Sequence, residues 1–272
     1  MHFFEALERE IDFQKEYEKL EYMVVCESSS GWSVESWISY NFRDWERRRS
    51  FFSFKELREH LGFKYDERYN FTQGIDITKY FLYCEMLLNL FWDLQVTYCP
   101  SFIDEQQKHI VETMMFVVNK SGYEYRQIDN QQMIVEKNAA AIEVADKIPE
   151  LADVIIEYNH YLLKGNLDRK SLLLKQIADA LEPKRKTLEG INKVQTKDFF
   201  DLINSMNIRH NNLDPADKGR YNPVFASYTS AEQEAWYDLL YEQALMLFML
   251  LEQLDRNKKI DTYKQARVSI KQ

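Results

Sequence analysis

The chain is poor in the residues that punctuate or cross-link a fold. Of its 272 residues only seven are Gly, five Pro and three Cys. So few breakers disfavour a turn-rich β architecture and favour long regular elements. Cys26, Cys84 and Cys99 are odd in number and form no CxxC pair, so they read as reduced, buried thiols of a cytosolic protein. No Walker loop, no GxGxxG and no GxSxG is present, which leaves P-loop hydrolysis, Rossmann cofactors and α/β-hydrolase chemistry without support. The longest apolar run, Leu239 to Leu251, is interrupted by Glu242 and is too short to cross a bilayer. The opening MHFFEALERE is acidic within five residues and has no apolar h-region. A cytoplasmic location with no membrane partner is therefore expected. Positive charge is also in deficit. The formal charge of −9 disfavours a general polyanion binder and leaves room only for a local basic pocket.

What is present is apolar and aromatic: 45% hydrophobic residues and 14% Phe, Trp and Tyr, enough for a substantial core. Periodicity predicts an all-α helical bundle with one small β-hairpin, divided into an N-terminal module over 1–136 and a C-terminal bundle over 137–272. Residues 3–25 carry Phe3, Leu7, Ile11, Tyr17, Leu20 and Val24 at helical spacing, and Ser28-Ser29-Ser30-Gly31 ends that helix. Ser53 reads as an N-cap with Glu56 as its capping-box partner and Gly62 as the stop. Asp76 or Thr78 introduces KYFLYCEMLLNLFWDLQ, apolar on nearly every face and so a buried central helix. A further helix runs from Pro100 and Ser101 to about Lys120. Tyr123–Glu136, bent at Asp129-Asn130, alternates as a hairpin does.

In the second half, helices are expected at about 139–148, 150–164, from an Asp168 cap to Ala180, and after Lys197-Asp198. Pro183 kinks or restarts the chain. A last helix spans Trp236–Leu254, with a charged, frayed tail from about Asn257.

The stretch where chemistry concentrates is Asp198–Leu254. There two apolar helices flank a loop carrying Arg209, His210, Asn211 and Asn212. Arg209 can hold a phosphate with two parallel donors. His210 titrates near neutrality and can act as general acid or base, with Asn211 and Asn212 as supporting groups. Together they suit metal-free RNA cleavage, in which a base deprotonates a 2′-hydroxyl and Arg stabilises the charge building on phosphate. The plainer alternative is that Arg and His complement a helix C-terminus and Asn takes the left-handed position after it. Lys184, Arg185 and Lys186 can line an RNA-phosphate path or form a solvated face.

Arg43 and Arg47-Arg48-Arg49, interleaved with Trp37, Trp45, Phe51 and Phe52, can stack on single-stranded nucleic acid. Equally, they can be the polar side of an amphipathic helix whose arginines pair with Asp44 and Glu46. Glu157 and His160 form an ExxH, but a di-iron bundle needs a second ExxH with two further carboxylates, and the other Glu/His pairs, Glu56/His60 and Glu105/His109, have i,i+4 spacing instead. No metal and no cofactor is expected. The hairpin, with one Arg against three acids, is a poor DNA-reading wing.

The segments EYNHYLLKGN, LEPKRKTL, FFDLINSMNIRHNN and WYDLLYEQALMLFMLL resemble bacterial abortive-infection proteins. The C-terminal bundle of those proteins is similar to the HEPN (higher eukaryote and prokaryote nucleotide-binding) fold. The resemblance covers about residues 137–256. It implies a metal-independent ribonuclease acting as a toxin or anti-phage effector, Arg209 and His210 as its catalytic pair, RNA as substrate, and a homodimer through the C-terminal bundle. An antitoxin or phage trigger is the further partner it implies. The family pattern places its His several positions beyond the Arg, whereas here the two are adjacent. The second reading is therefore a non-catalytic interaction or regulatory protein that keeps a degenerate HEPN-like domain.

Overall fold

The computed structural model describes residues 10–27, 31–66, 70–94 and 101–269. The chain divides into two units, Met1–Lys137 and Asn138–Gln272. Among the described residues it is mostly helical, with one two-stranded antiparallel sheet.

In the first unit, α1 (Phe13–Val25) starts at Asp12, whose carboxylate accepts the Lys15 N–H at 3.1 Å. This cap sets a later start than the apolar spacing suggested; Phe3 and Leu7, with Ser28–Ser30 at the other end, lie outside the described residues. α2 (Val34–Asn41) opens with a reciprocal Ser33–Ser36 capping box. The Trp- and Arg-rich stretch beyond it is not an amphipathic helix. It turns through two short 3-10 segments, Phe42–Asp44 and Glu46–Arg48, and leaves them at Arg49 with φ +51°. A side chain in that left-handed conformation ends helical pairing.

α3 (Phe54–His60) is capped by Ser53 as expected, but Glu56 reaches back to the Phe52 N–H at 2.8 Å, not to Ser53. Gly62, at φ +79°, closes it. Asp76, not Thr78, caps α4 (Ile77–Leu94) by accepting the Lys79 N–H at 2.8 Å. This helix is the buried centre of the unit, with Tyr80, Phe81, Tyr83, Cys84 and Leu87 fully enclosed.

α5 (Ser101–Lys120) is followed by Gly122 at φ +85°. Then come β1 (Tyr123–Ile128) and β2 (Gln131–Glu136), in register from Tyr123–Glu136 to Ile128–Gln131. Asp129 supplies the positive φ, +51°, that the two-residue turn needs. The hairpin is docked by α4: Asn89 exchanges bonds with the Gln132 backbone, and Glu85 accepts the Ile134 N–H at 2.6 Å. Outside the hairpin, Tyr65 and Phe71 form an isolated antiparallel bridge. Cys84 is a buried free thiol and Cys26 a half-buried one, while Cys99 lies outside the described residues.

In the second unit, α6 (Ala139–Lys147) is capped by Asn138. The expected helix over 150–164 is broken into a 3-10 turn at Pro149–Leu151, α7 (Ala152–Tyr158) and a second 3-10 turn at Tyr161–Leu163. The break follows from Asn159, whose amide bonds back to the Ile155 carbonyl and across to the Tyr241 hydroxyl at 2.6 Å. α8 (Leu167–Leu181) is capped by Asn166 rather than Asp168. Pro183 sits in a 3-10 turn, Glu182–Lys184, that restarts the chain as α9 (Arg185–Ile191). α10 (Lys193–Ser205) begins four residues before Lys197, because Asn192 accepts the Gln195 N–H.

After the four-residue α11 (Pro223–Ala226), α12 runs from Ser230 to Ser269. It starts earlier than Trp236 because Thr229 and Glu232 cap it reciprocally. It also stays helical through the segment expected to fray, aided by pairs such as Arg256–Glu252 (2.6 Å) and Lys258–Asp255 (2.9 Å). Its buried stripe, including Tyr237, Leu240, Ala244 and Leu247, packs on α6, α8 and α10.

Candidate functional site

The Arg209 loop follows from how α10 ends. Asn207 takes φ +55°, a conformation that Asn tolerates better than most side chains. Its amide is then locked to Asn212: the Asn207 N–H donates to Asn212 Oδ1 at 2.9 Å and the Asn212 N–H donates to Asn207 Oδ1 at 3.2 Å. Asn212 also donates from Nδ2 to the Arg220 carbonyl at 2.6 Å and is only 3% exposed. Its side chain is spent on holding the loop. Asn211 is exposed and accepts the Leu213 N–H at 3.2 Å, an Asx turn.

Arg209 is held by two carboxylates of another helix end. Nη1 donates to Glu182 at 2.6 Å and Nη2 to Asp179 at 3.0 Å, the side chain being 16% exposed. Nε is buried and makes no hydrogen bond, and the guanidinium carbon lies 5.7 Å from the Phe200 ring centroid. Asp179 and Glu182 sit at the C-terminal end of α8, where the helix dipole disfavours negative charge, and the guanidinium offsets that cost.

Arg185 completes the cluster. It lies 4.7 Å from the same Phe200 ring and shares Glu182, 3.5 Å from the oxygen that Arg209 leaves free. It also meets Glu189 at 3.2 Å. Of the expected phosphate path, then, Arg185 is engaged by carboxylates, while Lys184 and Lys186 are exposed and form no ion pair among the described residues. His210 is half-buried and makes no hydrogen bond among the described residues. Arg209 and His210 thus share a loop but no hydrogen bond.

Several of the other sequence candidates are engaged by neighbours. Arg47 binds Asp93 at 2.9 Å and the Asn130 carbonyl, and Trp45 donates to the second Asp93 oxygen at 2.6 Å. Arg43 approaches Asp44 at 4.0 Å. Glu157 forms a two-pronged pair with Arg169 at 2.6 and 2.7 Å, and His160 accepts the Leu162 N–H. Among the described residues no group of three or more His, Cys, Asp or Glu is placed to hold a metal ion.

Two charged constellations escaped sequence reasoning. In the second unit Lys170, 6% exposed, joins Glu234 at 2.8 Å and Asp238 at 2.6 Å, and Tyr158 donates to Asp238 at 3.0 Å. In the first, Arg58 is 2% exposed and is held by Glu21 through Nη2 and by Glu35 through Nη1 at 2.7 Å. Tyr65 donates its hydroxyl to the other Glu35 oxygen. Burial lifts the Glu35 carboxyl above its ordinary range, against the opposing pull of the Tyr65 hydrogen bond and the Lys55 charge. The sequence does carry a signal here. Glu21 occupies the apolar stripe of α1 beside Tyr17, Leu20 and Val24, and Arg58 that of α3 beside Phe54 and Leu57.

Among the described residues no helix is long and apolar enough to cross a membrane. The chain matches no protein-family model, no curated protein and no solved structure.

Proposed function

We propose that the C-terminal unit is a non-catalytic interaction module, a degenerate HEPN-like domain whose arginine has been turned from phosphate to structure. The observation that carries this reading is the pairing of both terminal nitrogens of Arg209 with Asp179 and Glu182. A guanidinium held by two carboxylates has its charge already matched, and those negative partners repel an approaching phosphate. The partner surface is the exposed stripe of α12 made by Leu239, Met246 and Met249, beside Val194 of α10. Methionine-rich apolar surface adapts readily to a binding partner, and a second copy of the chain is the occupant this reading favours.

The test has two arms. Purified protein incubated with labelled single-stranded RNA should leave it intact, and expression in bacteria should be harmless. Met246→Asp should shift the assembly state measured by light scattering from dimer to monomer. RNA cleavage that disappears in both Arg209→Ala and His210→Ala would replace this reading with the ribonuclease one. One observation favours that second reading: His210 is uncommitted, and Lys184 and Lys186 are exposed in the same unit. In it, His210 takes the 2′-hydroxyl proton, and an approaching phosphate draws Arg209 from its carboxylates.

A further inference from the structure

The Arg58 network of the first unit floors a cavity of about 250 Å³. Glu35, Arg58, Phe63 and Tyr65 line its inner part. The exposed side chains of Lys55 and Lys64 stand at its rim with those of Glu59 and Asp66. The wall by itself is electrically balanced, three cations (Lys55, Arg58, Lys64) against three carboxylates (Glu35, Glu59, Asp66). Behind it, however, lies Glu21, with no exposed surface and bonded to Arg58 through one oxygen only.

Glu21, Arg58 and the partly exposed Glu35 thus set two carboxyl groups against one guanidinium. The second Glu21 oxygen, the Arg58 Nε and the Tyr83 hydroxyl are buried without a hydrogen-bond partner. Removing ions from water is costly unless their charge is matched. What the set lacks is positive charge, and it meets solvent at Glu35, in the cavity wall.

We propose that this cavity binds a small organic cation, a primary amine or guanidinium on an apolar or aromatic stem. The charged head sits against Glu35 and the stem lies along Phe63 and Tyr65. At the rim Glu59 and Asp66 are offset by Lys55 and Lys64, so the pull on the head comes from Glu35 and from Glu21 behind it. The Arg58 charge is offset by the two carboxylates that hold its terminal nitrogens. The ligand supplies the positive charge that the buried set lacks, without any change in the chain. The volume admits a molecule the size of one large amino-acid side chain, not a nucleotide or a peptide.

Isothermal titration of the full-length protein with tyramine, agmatine and 1,4-diaminobutane tests this, with 4-hydroxyphenylpropionate as the carboxylate counterpart of tyramine. At least one of the amines is expected to bind and to raise the thermal midpoint, while the carboxylate does neither. Glu35→Gln, which keeps an acceptor for Arg58 and leaves its amide NH2 to donate to the Tyr65 hydroxyl, is expected to weaken that amine by about ten-fold or more through loss of a charge-assisted bond. Glu59→Gln, at the exposed rim and away from the core, should weaken it by only about two- to three-fold. Binding of the carboxylate as tightly as the amine overturns the proposal, as does failure of all three amines or unchanged amine affinity in a folded Glu35→Gln protein. Should Glu35→Gln not fold, the comparison of amine with carboxylate on the wild-type chain decides.

Discussion

Arg209 and Glu182 lie 27 residues apart in sequence and 2.6 Å apart in space. That one contact, with the Asp179 pair beside it, converts the residue best suited to phosphate into a clasp between the loop after α10 and the end of α8. Its energetic worth is modest, because Asp179 and Glu182 are each nearly half exposed. Exposed pairs contribute about 0.2–1 kcal/mol apiece and the Phe200 contact about 0.5–1 kcal/mol. Arg209→Ala should therefore lower unfolding free energy by about 1–2 kcal/mol, measured in urea at low salt. Most of the difference should shrink in 1 M salt, where a ~3 Å screening length leaves little attraction. A loss that salt leaves untouched would show that packing on Phe200, rather than charge, holds the clasp.

The loop itself depends on Asn207 and Asn212 bonding each other's backbone. Asn212→Ala leaves the Asn207 N–H and the Arg220 carbonyl without their partner, a cost of about 1–3 kcal/mol. Asn207→Gly keeps the φ of +55° and forfeits the side-chain bonds to the Asn212 N–H and the Tyr237 hydroxyl. Asn207→Val adds strain, since a β-branched residue resists that conformation. The denaturation midpoints should therefore fall in the order wild type, Asn207→Gly, Asn207→Val. An equal midpoint for the two Asn207 variants would mean that the left-handed turn is not needed.

The helical class, the single hairpin and its bend at Asp129 were legible because period and turn chemistry are local. The Asp129 turn needs only one residue willing to take positive φ, and the α4 run needs only apolar residues on every face. The fate of Arg209 was not legible. Nothing near it in sequence announces Asp179 and Glu182, and Glu182 reads locally as the counter-charge of Lys184–Lys186. Boundaries went astray where a side chain overrode propensity: Asn159 ends α7, Asn192 starts α10, and Asn166 pre-empts Asp168. The buried Glu21 and Arg58 stood in apolar stripes, and a charged residue inside such a stripe is a pairing signal that periodicity alone does not interpret.

Acid stability should depend on Glu234. Burial raises its carboxyl, but the Lys170 ammonium and the Gly165 N–H outweigh it, and the net shift is downward from 4.5. A folded-state value below the unfolded one means the contribution is fully present above 4.5 and is lost as pH falls through the lowered value. Glu234→Gln should be less stable than wild type at pH 7, and the two should converge as the pH is taken below the range in which the wild-type carboxylate survives. Urea midpoints between pH 7 and 3 give the comparison. A gap that persists at the lowest pH would assign the effect to geometry around Lys170 instead of charge.

The last stretch of α12 separates helix formation from stability. From Asp255 to Arg267 every residue is exposed, so its helix is maintained by continuity with Ser230–Leu254 and by charge pairs along the surface. Helices with no buried face add little to global stability, because tertiary packing rather than propensity supplies most of it. Ending the chain after Arg256 should reduce far-ultraviolet helical ellipticity while moving the thermal midpoint by no more than about 2 °C, as expected for surface changes within about 0.5 kcal/mol. A larger fall that depends on protein concentration would place Ile260 and Tyr263, both exposed in the single chain, in a contact with a second copy. The apolar stripe of Leu239, Met246 and Met249 would then extend along the whole helix.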